Sequence, residues 1–367
     1  MASVREAAGS LLVVGLAGTE LSGLERAWLR LVRPDGIILF RRNIADPKQT
    51  RSLLDEATLL CSAQSFRCVD VEGGSVDRLR DALTPMPSAQ AVGAAMRTST
   101  RSGLAKEHGV LIGRAVKAFG FNTTLAPVLD LSLTASAQVM GTRVSAATVS
   151  GIVDYARGFL DGLAAQGVVG CGKHFPGLGG GTLDSHLETP SIDRSMREMN
   201  QNDLGPYRAL RHELPMIMVN HAAYPNTPSG NRPASASRYW ITTILRNRIG
   251  YRGIVFSDDL EMGGILKFLP IEEAAIAAIR AGMDLLEICH SPELILRAYE
   301  SLISEAERSV AFRNLLTKRA RQTSLKRKKL FSEKASAALS TKQFEILRSR
   351  ILRFGKTISR AQPTTEV

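Results

Sequence analysis

Eight short runs of strand-forming residues, separated by amphipathic helical segments, constrain the fold of this 367-residue chain more than any other feature. The runs are Leu11–Leu16, Gly36–Phe40, Phe66–Val71, Thr123–Leu129, Val168–His174, Met216–His221, Gly253–Ser257 and Leu285–Cys289. Most are apolar on successive residues rather than on alternate ones. That is the pattern of parallel strands covered on both faces. Segments such as Ile152–Ala164 and Ile271–Ala281 carry helical periodicity between the runs. Eight strand–helix units fit a (β/α)8 barrel, with an open doubly wound sheet as the competitor. The polar residues separate the two. Asp70, Glu72, Asp130, Lys173, His174, His221, Asp258, Asp259 and His290 all fall at or just past the C-terminal ends of the proposed strands. A barrel builds its site at that rim from many strands, whereas an open sheet gathers polar groups near one switch point. The expectation is an α/β fold of the (β/α)8 TIM type over residues 1–304. A basic helical extension, 305–367, packs on the barrel or extends from it.

Charge supports that division. Residues 301–367 hold 16 Lys and Arg against 5 Asp and Glu, while the rest of the chain is nearly neutral. The body is therefore not a nucleic-acid binder by composition. In the tail, Lys326-Arg327-Lys328-Lys329 is the densest basic run. Sparse aromatic interleaving favours a solvated helical face, anchored by Leu330, Phe331, Phe344 and Ile346, over contact with RNA, DNA or acidic lipid. The four cysteines lie in apolar surroundings without metal-type spacing, which reads as buried free thiols in a reducing compartment. The apolar stretch Leu11–Ala17 is short and reads as a first core strand rather than a signal peptide. No segment is long enough to span a membrane. Cytoplasm is the expected location.

Candidate chemistry centres on Gly172-Lys173-His174-Phe175-Pro176-Gly177, followed by Asp184-Ser185-His186. Lys173 and His174 stand where an apolar run ends. Asp184 and His186 are two apart, so in an extended stretch both point to one side. The glycines of Gly177-Leu178-Gly179-Gly180-Gly181 resemble a phosphate cradle, but the dinucleotide fingerprint fails because Thr182 replaces its third glycine. A mobile loop carrying Asp184 and His186 is the better account. Asp258 and Asp259 end the seventh run. Asp258 could face the barrel mouth while Asp259 caps the next helix. Asp70 and Arg78 flank a Gly73-Gly74 turn and could project into the mouth or simply pair with each other. His108 and His212 sit in polar helical contexts that suggest the surface. No histidine pair has the spacing of a zinc protease, so no metal site is expected.

Taken together, several segments resemble glycoside hydrolase family 3, in its single-domain NagZ-type β-N-acetylhexosaminidase branch. They are Pro34–Asn43, Asp70–Leu79, Ala126–Asp130, Gly141-Thr142-Arg143, the Lys173–His186 segment, Pro233-Ala234-Ser235, Phe256–Asp259 and Ala281–Leu286. One departure stands out. The family often reads Lys-His-Phe-Pro-Gly-His-Gly-Asp-Thr, and this chain has Leu178, Gly180 and Gly181 at the second histidine, the aspartate and the threonine.

The resemblance implies a role for each matching position. Asp258 is the nucleophile, His186 the general acid/base, and Asp184 the residue that orients His186. Asp70, Arg78, Arg143, Lys173 and His174 hold the hydroxyls of N-acetylglucosamine. The implied activity is release of terminal β-linked N-acetylglucosamine with retention, on peptidoglycan fragments in cell-wall recycling. The expected partner is thus a saccharide, and neither metal nor organic cofactor is implied. Lys173 and Arg143 would help keep Asp258 ionised. Phosphorolysis, another family 3 β-glycosidase activity, and a muropeptide-binding sensor without catalysis remain the alternatives.

Overall fold

The computed structural model describes residues 3–133, 137–180, 190–331 and 338–361. Ten strands form in chain order: β1 Leu12–Gly15, β2 Gly36–Leu39, β3 Phe66–Val69, β4 Val71–Gly73, β5 Val76–Asp77, β6 Thr123–Thr124, β7 Val169–Phe175, β8 Met216–Val219, β9 Ile254–Asp259 and β10 Leu285–Ile288. Eight of them close a barrel in the order β1-β10-β9-β8-β7-β6-β3-β2, and every neighbouring pair is parallel. β4 and β5 make a separate hairpin. The eight runs read from the sequence are the eight barrel strands, and the fold is a (β/α)8 barrel.

The strands are covered on both faces, which is why their sequences do not alternate. Residues such as Val14, Ile37 and Val255 face the surrounding helices, while Val13, Ile38 and Ile254 face the interior. β7 is buried along its whole length. Gly172 lets Leu129 and Leu214 approach the outside of β7, since a Cβ there would lie under 3 Å from both side chains. The Thr123–Leu129 run yields a strand of only two residues. Pro127 has no N–H to donate, so the ladder continues irregularly, with Cys171 donating to Ala126 O and Leu129 donating to Lys173 O.

The chain beyond the barrel is two helices, Val310–Leu330 and Thr341–Arg360. A division at 304/305 falls inside the preceding helix, Pro292–Arg308. Val310–Leu330 runs to the N-terminal end of the barrel strands. There Phe331 meets Phe66, the first residue of β3, edge-on with ring centroids 5.1 Å apart. Leu330 and Phe331 pack against the interior side chains of the barrel. The basic run is partly internal: Arg327 is buried and ion-paired with Asp35, and Lys326 Nζ lies 2.9 Å from both Asp284 and the Gly253 carbonyl. Only Lys328 and Lys329 of that run are exposed. In Thr341–Arg360, Phe344 packs beside Phe119, but Ile346 faces solvent.

His108 corrects the sequence reading. It is fully buried, stacked against Phe354 of the last helix and bonded through Nδ1 to Tyr155 Oη at 3.0 Å. The apolar neighbours are contributed by segments far away in sequence, so its polar local context gave no hint of them. His212 is exposed, as expected. No helix among the described residues is long and apolar enough to cross a membrane.

Candidate active site

The interior of the barrel is lined by alternate residues, and the polar site is the continuation of those columns. Phe66 and Cys68 point inward, and Asp70 comes two residues later. Val169 and Cys171 point inward on β7, and Lys173 follows at the same spacing. Ile254 and Phe256 lead in the same way to Asp258 on β9. A period of two along each strand therefore brings three charged groups to one end of the barrel. They line a cavity of about 450 Å³ together with Arg78, Arg143 and His174. All six described candidates thus face one space. Asp184 and His186 lie outside the described residues. A second cavity, of about 470 Å³, contains none of these groups and is lined by Gln90, Arg97, Ser145 and Asp154 among others.

Lys173 is the hub of the charge network. Its Nζ lies 2.8 Å from Asp70 Oδ1 and 2.6 Å from Glu72 Oε1. Arg143 holds Glu72 at two points, Nε to Oε2 and Nη2 to Oε1, both 2.8 Å. Glu72 comes from β4, so the hairpin turns its carboxylate back toward β7. Burial alone would raise the Glu72 carboxyl, but the Arg143 and Lys173 charges outweigh it and hold the group down at about 2. Asp70 feels the same opposition, and Lys173 and Arg78 keep it below the usual carboxylate range. Burial works against the Lys173 ammonium as well, and Asp70 and Glu72 overcome it to hold that group above its ordinary value. Arg78 stands 3.7 Å from Asp70, so this pair is an ion pair that also lines the cavity.

His174 has a defined orientation. Its Nε2 faces Arg143 Nη2 at 3.0 Å, and a guanidinium only donates. Nε2 must therefore accept, which leaves the proton on Nδ1, donated to Asp130 Oδ2 at 2.7 Å. Asp130 also accepts the backbone N–H groups of His174 and Leu178. It thereby ties the end of β7 to the start of the glycine-rich segment that leads to Asp184.

Asp258 accepts the N–H of Asp259 at 3.1 Å and otherwise faces the cavity. Asp259 lines the same cavity rather than capping a helix. The following helix begins at Gly263, and Asp259 Oδ1 holds the Glu261 N–H in the intervening turn. Burial, with help from Glu261 and Asp258, lifts the Asp259 carboxyl to about 7. His221 donates through Nε2 to the Asp259 carbonyl at 2.9 Å, so its Nδ1 accepts from Ser235 Oγ. It is a structural brace beneath the end of β9. Asp259, Glu261 and His290 bring three ligand-type atoms within 4.8 Å of one another. Glu261 Oε1 already holds the Ser291 N–H, and no metal is assigned there.

Sequence reasoning gave no site role to Arg42 or Glu287, both of which line the cavity. Arg42 reaches in from beyond β2 and donates to the Leu16 and Cys289 carbonyls. Glu287 lies on β10 and lines the cavity floor. Counting inward from Leu285 at a spacing of two would have found it.

A family model described as Glycosyl hydrolase family 3 N terminal domain matches residues 3–321. The chain belongs to glycosyl hydrolase family 3. It is 38% identical over 287 residues to a protein named Beta-hexosaminidase from Alkalilimnicola ehrlichii, covering 77% of this chain and 82% of the relative. A Beta-hexosaminidase from Idiomarina loihiensis is 34% identical over 279 residues, covering 76% and 83% of the two chains. Among solved structures, NagZ from Neisseria gonorrhoeae in complex with N-trifluoroacetyl-D-glucosamine is similar with a TM-score of 0.76. It is 29% identical, with 95% of this chain and 98% of that chain covered. The chain is a glycoside hydrolase of the NagZ type, and its polar cavity lies at the C-terminal rim of the barrel strands.

Proposed function

We propose that the chain is a retaining exo-β-N-acetylglucosaminidase acting on terminal β-linked N-acetylglucosamine, with peptidoglycan fragments of cell-wall recycling in the cytoplasm as substrate. The observation that carries this reading is the cavity at the end of β9. There Asp258 shares one small space with hydrogen-bonding groups from β3, β7 and the Arg143 segment. Relatives named Beta-hexosaminidase, and a NagZ neighbour holding an N-acylated glucosamine, point to the same sugar.

In this mechanism Asp70, Arg78, Arg143, Lys173 and His174 take the sugar hydroxyls. An Asp258 oxygen attacks the anomeric carbon, forming an ester as the glycosidic C–O bond breaks. His186 delivers its proton to the departing oxygen, with Asp184 orienting the ring. His186 then removes a proton from water as water attacks the same carbon and frees Asp258. An imidazole suits this work because it titrates near neutral pH without special tuning.

The test is a panel of p-nitrophenyl β-glycosides that differ at the sugar 2-position, run with wild type and D258N. Preference for the 2-acetamido sugar, and loss of turnover on the order of 10⁴-fold in D258N, supports the reading. A preference for the glucoside or xyloside overturns the substrate assignment. Sugar-1-phosphate formed only when phosphate is present would replace hydrolysis by phosphorolysis.

A further inference from the structure

On β10 the inward column reads Leu285, Glu287, Cys289, so a carboxyl group stands between two side chains of the barrel interior. Glu287 is 3% exposed. Its Oε1 accepts the Cys289 thiol at 3.2 Å, and its Oε2 has no partner. Across the strand pair it is in register with Asp259. Asp258 and Asp70 line the same cavity, and both act on Glu287 electrostatically.

The surrounding cations are committed elsewhere. Lys173, on β7, bonds Asp70 and Glu72. Arg143 bonds Glu72, Arg78 pairs with Asp70, and Arg42 donates to the Leu16 and Cys289 carbonyls. The other groups turned toward Glu287 are the thiols of Cys68 on β3, Cys171 on β7 and Cys289, all pushed up by burial. Among the described residues no cation lies within ion-pair distance of Glu287. A carboxylate left unpaired in such a place is strongly disfavoured, and like charges held close cannot all ionise.

We propose that Glu287 is a positioning residue of the sugar site: a carboxyl group that keeps its proton at neutral pH and so adds no negative charge beside Asp258. The inference rests on the assignment of Asp258 as nucleophile. Burial, reinforced by Asp259, Asp70 and Asp258, holds the Glu287 carboxyl well above its ordinary range. The free Oε2 is sealed from the cavity as well as unpartnered, so the proton stays inside the protein and the group adds no negative charge beneath Asp258. Glutamine is neutral in the same place and of nearly the same shape.

The proton can be read without turnover, by NMR of full-length protein labelled with ¹³C at the glutamate δ-carbon. One glutamate resonance, missing in E287Q, is expected to stay at the carboxylic-acid position at pH 7. If E287Q does not fold, the wild-type spectrum alone still decides whether such a resonance exists. The inference is overturned if every glutamate carbon reaches the carboxylate position by pH 6. Kinetics supply the second readout. E287Q is expected to stay within about threefold of wild type and to keep the acid limb of kcat/KM in place. An acid limb displaced to lower pH in E287Q would mean that a negative charge had been removed, and that result overturns the proposal. Failure of D258N to abolish turnover would instead strike the nucleophile assignment and leave the NMR result standing.

Discussion

The Lys173 ammonium lies 2.6 Å from a carboxylate oxygen of Glu72, with both side chains almost completely buried. The pair is tolerable because neither charge depends on the other alone. Lys173 also holds Asp70, and Glu72 is gripped by Arg143 through both oxygens. Removing one member leaves an uncompensated buried charge, which typically costs about 3–5 kcal/mol. Lys173→Met should therefore lower the unfolding free energy by about 3 kcal/mol in urea titration and raise KM. A stability change under about 1 kcal/mol would mean that Asp70 and Glu72 find other partners.

Arg143→Lys should separate charge from geometry. A lysine can keep one contact to Glu72 but cannot hold both oxygens and also reach His174 Nε2. The expected result is a loss of about tenfold or more in kcat/KM, worth about 1.4 kcal/mol per factor of ten. Equal activity in the two forms would show that His174 does not need the Arg143 donor to hold its ring.

The sequence made the barrel legible because parallel strands buried on both faces leave long apolar runs with polar residues at one end. Asp70, Lys173 and Asp258 were readable for the same reason, each following an inward column of its strand. Glu287 was harder to see, since it sits within an apolar run rather than at its end, and only the two-residue periodicity marks it as inward. The Glu72 carboxylate was visible, but its pairing with Lys173 and Arg143 depends on a hairpin turning back over β7. His108 was misplaced because its burial comes from Phe159 and Phe354, remote in sequence and brought together only by folding.

His108 makes a pH prediction. Burial holds its imidazole down at about 3. The folded form therefore binds no proton over a range where the unfolded form, titrating near 6.5, does. Stability is full above pH 6.5 and falls as pH drops toward 3, by up to about 1.4 kcal/mol per unit from this group. Replacing His108 with Gln, which cannot titrate, should flatten that part of the stability curve in urea titrations between pH 7 and 4. An unchanged slope would mean that His108 does not carry the acid sensitivity.

The basic tail makes the last prediction. Asp284 is fully buried at the base of the barrel, where it meets Arg246, Arg319 and Lys326, and Arg327 covers Asp35. Phe331 and Leu330 close the same end against interior side chains. These contacts make the end of helix Val310–Leu330 a plug, so Lys326 and Arg327 serve the barrel rather than a partner. Ending the chain at Ser324 should uncover Phe66 and leave Asp284 and Asp35 short of cations, giving a protein several kcal/mol less stable or prone to aggregate. Phe331→Ala, a milder change at a half-buried ring, should cost about 2 kcal/mol with kcat unchanged, because the cavity is at the opposite end of the strands. Salt-dependent RNA binding should differ little between wild type and a Lys328→Ser, Lys329→Ser double variant. A steep salt dependence in wild type that the double variant abolishes would give the exposed lysines a nucleic-acid role after all.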